Sequence, residues 1–114
     1  MEFKRRVPRR HLFYYLRVFD RSSDALLGNL VDISPIGVML VSDKPLDIGR
    51  EYQLRMMLPE LVEGSRYIDF NGRAVWTKND VNPDFFDTGF ELVEPTQEFL
   101  AILESLLEEL AFKE

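Results

Sequence analysis

"ALLGNLVDISPIGVMLVS", residues 25–42, is the stretch on which the fold turns. Its two ends, 25–33 and 37–42, are apolar runs of strand length, rich in leucine and valine. Between them lies "DISPIG", where a turn is expected: Asp32 and Ser34 satisfy turn backbone, and Gly37 supplies positive φ. The unit reads strand, turn, strand, and the same pattern extends in both directions.

Upstream, residues 12–19 ("LFYYLRVF") put Leu12, Tyr14, Leu16 and Val18 on one face. Downstream, after the turn residues "DKPLDIG", positions 51–58 set Tyr52, Leu54, Met56 and Leu58 against Glu51, Gln53, Arg55 and Met57. "PELVEGS" reads as a loop. "YIDFNGRAVW" then places Ile68, Phe70, Ala74 and Trp76 together, with Gly72 as a bulge or tight approach. "KNDVNPDFFD" is a second loop and "TGFELV" a last strand. About six strands at regular spacing point to a mainly β chain, an antiparallel barrel or a sandwich. A barrel has the advantage of leaving no strand edge exposed.

The end differs in character. Over about 95–112, Phe99, Ile102, Leu103, Leu106 and Leu110 recur at helical spacing, with Leu100 and Leu107 widening the stripe. Pro95 suits a first helical turn, and Thr96 is the competing choice of cap. The expected helix packs its apolar side on the strands.

A chain of 114 residues, 46% hydrophobic and 12% aromatic, fits one domain with a core of its own. It has no cysteine, hence no disulfide and no thiolate metal site. No apolar run is long enough to span a bilayer, and basic residues lead straight into strand pattern without a signal-peptide core. The expectation is a soluble cytoplasmic protein that does not insert into membranes.

Charge is unevenly placed. Residues 1–17 hold six cations against Glu2, a local +5, so the remainder carries -11 of the net -6. Such a body repels a duplex backbone, which argues against DNA or RNA as partner. Five of those cations lie in "KRRVPRR", Lys4 to Arg10. Pro8 biases Val7 toward extended backbone, so side chains alternate along the arm, residues 1–11. Arg5 and Arg9 then project to one side, Arg6 and Arg10 to the other. Arginine's planar fork binds phosphate bidentately, pairs with guanine O6 and N7, and stacks on bases. A carboxylate such as Asp32 accepts from guanine N1 and N2, so one base could be held on two edges.

Other residues are set aside. Trp76 reads as core at an alternating position, with stacking on a base as its functional alternative; Arg73 falls on the opposite face. His11, the single histidine, reads as an edge residue rather than a metal ligand. Asp80, Asn82, Asp84 and Glu91 match positions 1, 3, 5 and 12 of a calcium loop, but Phe85 stands where glycine is required and no helix flanks the site. Ser34 lacks a nucleophile-elbow context and no carboxylate pair is marked out, so no enzyme is expected.

"RRVPR" followed by "DISPIG" resembles the paired signature of PilZ domains, RxxxR and [D/N]xSxxG, and the later "FNGRAVW", "TGFELVEP" and terminal helix look like the rest of that family. The resemblance implies a six-stranded antiparallel β-barrel with a C-terminal α-helix that binds cyclic di-GMP, a bacterial second messenger, as its ligand, with no cofactor. Arg5 and Arg9 match the extended form RRxxR; Arg6 and Arg10 also satisfy RxxxR. Asp32, Ser34 and Gly37 carry over directly. The expected protein is an adaptor whose arm, mobile when empty, is ordered by ligand and signals to a downstream protein. The alternative is a protein–protein module of the same fold that acts without nucleotide, through the terminal helix or "DVNPDFF".

Overall fold

The computed structural model describes residues 10–34, 36–62 and 65–110. Six strands succeed one another as β1 (Arg10–Asp20), β2 (Ala25–Ser34), β3 (Gly37–Ser42), β4 (Glu51–Val62), β5 (Ser65–Asn79) and β6 (Phe86–Leu92), and a helix, α1 (Gln97–Leu110), comes last. Every strand pairing is antiparallel, and the order β1-β2-β3-β6-β5-β4 closes on itself through β4 and β1. Of the two architectures open to six such strands, the chain takes the barrel.

Alternation explains the interior. Tyr52, Leu54, Met56 and Leu58 of β4 are buried, as are Leu16 and Val18, Val38 and Leu40, and Ile68, Phe70 and Ala74 of their respective strands. These side chains form one core with Phe99, Ile102, Leu103 and Leu106 of α1. Phe99 stacks on the inward-facing Phe70 with ring centroids 4.6 Å apart and planes 19° from parallel. The helix therefore meets the barrel's interior rather than its outer wall, along β1, β4 and β5. Its start is set by Thr96, whose hydroxyl accepts the Phe99 N–H at 3.0 Å, the bond of an N-cap. Thr96, not Pro95, marks the boundary. No described helix is long and apolar enough to cross a membrane.

Several expectations need correction. Strand β4 runs through "PELV" to Val62 and β5 begins at Ser65, with Val62 paired to Ser65, so residues 59–62 and 65 of the segment read as a loop lie in strands. Leu100 is 36% exposed and lies outside the buried stripe. Gly72 is a close approach, as allowed, with the Phe90 ring against it; the irregularity of β5 comes later. Ala74 pairs with Phe90 and Trp76 with Gly89, so Val75 is an extra residue. That bulge inverts the alternation beyond it. Trp76, read as core, lies on the outer wall at 37% exposure. Arg73 shares that side instead of opposing it, and pairs across the strands with Glu91 at 2.6 Å and Glu51 at 3.7 Å.

Candidate functional site

Asp32 owes its position to a second bulge. Leu30 and Ile33 are both fully buried in the core although three positions apart, which strict alternation forbids. Across the ladder Leu30 pairs with Leu40 and Asp32 with Met39, leaving Val31 as the inserted residue. Were Val31 paired like its neighbours, Asp32 would share the inward face of Leu30. With the bulge, Asp32 turns to the outer wall, where it is only 2% exposed and lines a cavity of about 570 Å³. Asn29, Val41, Lys78, Asp80 and Asp87 share that cavity.

One lateral row of the wall links His11 to Asp32, Asp32 to Met39, Met39 to Gly89 and Gly89 to Trp76. The Trp76 indole lies over Gly89 so closely that a Cβ there would overlap it. Asp32 and Trp76 thus stand on a single row across four strands, the one carrying a carboxylate and the other an aromatic face.

The other two motif residues serve the turn itself. The Ser34 hydroxyl accepts the Ile36 N–H at 3.3 Å and donates to the Gly37 carbonyl at 3.4 Å. Gly37 does not have the positive φ expected of it. Its lack of a side chain is required for another reason: a Cβ would overlap the Phe90 carbonyl oxygen where β3 lies against β6.

Of the expected arginines, Arg5, Arg6 and Arg9 lie outside the described residues, as does the side chain of Arg10. The backbone of Arg10 is described. It pairs with Ile33, and His11 pairs with Asp32. Strand β1 starts two residues before its expected beginning, and its first two residues flank the "DISPIG" turn.

Two further cavity residues, Lys78 and Asp87, escape a reading of the sequence. They face each other directly across the β5–β6 ladder. Asp87 is 6% exposed. Burial, then a hydrogen bond shared with Asp80 and the charge of Asp80, push its carboxyl up to about 6, against the pull of Lys78; Asp32 adds a smaller push. Asp80 is lowered in turn, first by the hydrogen bond from Asp87 and then by the Asn82 N–H. Asp80 and Asn82, read as calcium-loop positions, spend side-chain oxygens on the backbone N–H groups of Asn82 and Asp84. Glu91, the last position of that pattern, is in β6 and bonded to Arg73. Nothing in the local sequence singles out Lys78 or Asp87, because the strands that juxtapose them are joined by a loop whose register is not written in composition.

A six-stranded barrel closed by a terminal helix, with a D-x-S-x-x-G turn on its wall, is the architecture of a known class. The family model described as PilZ domain matches residues 3–109, and the chain belongs to that family. Among solved structures it is similar to MotI/DgrA, the inhibitor of motility of Bacillus subtilis, with TM-score 0.70 and 21% identity over 94% of this chain and 51% of that one. It is similar to the PilZ domain of YcgR from Escherichia coli with c-di-GMP, at TM-score 0.69 and 16% identity over 94% of each chain. A third likeness is to the MrkH–c-di-GMP complex of K. pneumonia, at TM-score 0.74 and 15% identity over 96% of this chain and 53% of that one. The chain spans about half the length of MotI/DgrA and of MrkH. No curated protein matches it by sequence.

Proposed function

We propose that this chain is a receptor for cyclic di-GMP, a cytoplasmic adaptor without enzymatic activity. In this reading the arginines of the N-terminal arm, Arg5 with Arg9 or Arg6 with Arg10, hold the phosphates and one edge of a guanine. Asp32 accepts from guanine N1 and N2, and Trp76 offers a stacking face along the same row. Ser34 and Gly37 act by shaping the turn that presents Asp32.

The observation that carries this reading is the pairing of Arg10 with Ile33 and of His11 with Asp32. An arm leading into that strand would reach the wall beside the carboxylate that the Val31 bulge turns outward. Family membership and the two neighbours whose structures hold c-di-GMP support the choice of ligand.

Calorimetric titration with cyclic di-GMP tests it, alongside Arg9→Ala and Asp32→Ala. Each charge-assisted hydrogen bond is worth roughly 1.5–3 kcal/mol, so each variant should bind about ten- to a hundredfold more weakly. Absence of heat with the wild-type chain would refute the receptor reading. The protein–protein module would then lead, with the loop carrying Val81, 99% exposed, and the exposed Phe85 as its surface. Ligand should also slow amide exchange over residues 4–10; unchanged exchange would count against ordering of the arm as the signal to a downstream protein.

A further inference from the structure

We propose that the wall of the cavity formed by Asp87 and Lys78 reads the Watson–Crick edge of a guanine base, and so discriminates guanine from adenine ligands. This rests on the cyclic di-GMP reading and adds to it a pair of residues outside the signature motifs. The Oδ1 atom of Asp87 is buried and has no hydrogen-bond partner among the described residues, although the side chain borders a cavity of about 570 Å³. A buried acceptor at the edge of a cavity is matched by water or by a ligand that brings a donor. Lys78 stands directly across from it and supplies donors and no acceptor. Its ammonium lies 5.8 Å from the centroid of the Trp76 ring, the aromatic face on the neighbouring row.

Side by side on adjacent strands, an acceptor and a donor form a two-part code. On the guanine that Asp32 does not hold, the edge carries the complementary sequence: the O6 acceptor for Lys78, then the N1–H and N2–H donors for Asp87. Adenine presents an N6 amine where Lys78 needs an acceptor, and nothing at C2 for the carboxylate. A site built on hydrogen bonds rejects such an analogue strongly, because its own groups stay unmatched. The volume is within the range of pockets for ligands of this size.

Electrostatics separates this role from a bland one. The leading charge effects on the Asp87 carboxyl are those of Asp80, which raises it, Lys78, which lowers it, and Asp32, which raises it. If Asp87 were only another negative charge near an anionic ligand, replacing it by leucine would tighten binding. If it accepts from guanine, the same exchange weakens binding, because both acceptor oxygens are lost. Asparagine, which keeps one acceptor oxygen, should fall between wild type and leucine.

The test is calorimetric titration of the full chain with cyclic di-GMP and cyclic di-AMP. Wild type, Asp87→Leu, Asp87→Asn and Lys78→Met are compared near neutral pH. Asp87→Asn keeps shape and one acceptor oxygen and is the conservative control; Lys78 is exposed, so its variant should fold. The expected result is a preference for cyclic di-GMP that falls about ten- to a hundredfold in Asp87→Leu and Lys78→Met, and less in Asp87→Asn. A wild type that binds cyclic di-GMP, with variants that keep the full preference or bind more tightly, overturns the inference and leaves the receptor reading standing. A wild type that binds neither ligand removes both.

Discussion

Asp87 carries a carboxyl that titrates at about 6, above the ordinary 3.8, and a raised carboxyl has a defined effect on stability. Between those two values the folded chain keeps a proton that the unfolded chain has lost, so stability falls as pH rises through that window and stays lower above it. Asp87→Asn removes this penalty. It should raise the melting temperature near neutrality, corresponding to about 1–3 kcal/mol from a shift of about two pKa units, and the gain should shrink toward zero at about pH 4. An equal gain at both pH values would exclude titration of Asp87 as its cause. Residue chemistry of this kind is partly legible in the sequence. Ser34 reads as a turn residue and holds the turn through its own hydrogen bonds, whereas Asp32, read the same way, lies in β2 with its direction set by the bulge before it. Trp76 reads as core and is not, because its facing depends on one extra residue at Val75 and on the bare Gly89 beneath it.

At the scale of elements, alternation locates the strands wherever a strand is regular, as in Tyr52 to Leu58. It fails at the bulges, where "LVDI" and "AVW" look unremarkable yet exchange inside for outside in the residues beyond them. The Val31 bulge makes a sharp prediction. Deleting Val31 leaves Leu30 opposite Leu40 and Asp32 opposite Met39 in a regular ladder, so the carboxylate stays on the outer wall. Denaturant unfolding should show a loss of about 1–3 kcal/mol for the missing buried valine, comparable to that of Val31→Ala. A much larger loss on deletion, as an inward-facing carboxylate would cause, would mean that this register does not hold Asp32 outward. Helix α1 offers a simpler case. Thr96→Ala removes the cap bond to Phe99 and should cost about 1 kcal/mol by thermal melting, whereas Pro95→Ala, outside the helix, should change little.

For the whole molecule, the terminal helix is a part of the core and not an appendage. Closure of the barrel joins every strand to two neighbours, and the space the strands enclose is completed by Phe99, Ile102, Leu103 and Leu106. The amphipathic stripe makes the helix visible in the sequence, but not the surface it covers, since that depends on the stacking of Phe99 on Phe70 across nearly thirty residues of chain. Phe99→Ala tests the consequence. The side chain is fully buried, so its loss removes both transfer energy and contacts from α1 and the barrel together, about 3–5 kcal/mol. Against a typical stability of about 5–15 kcal/mol, this is a large fraction for one residue. Urea unfolding monitored at Trp76, which is on the barrel wall, and by helical circular dichroism should still give coincident transitions at a lower midpoint. A helix that melted first, with the Trp76 transition unmoved, would show that the barrel stands without it and that the two share no single cooperative core.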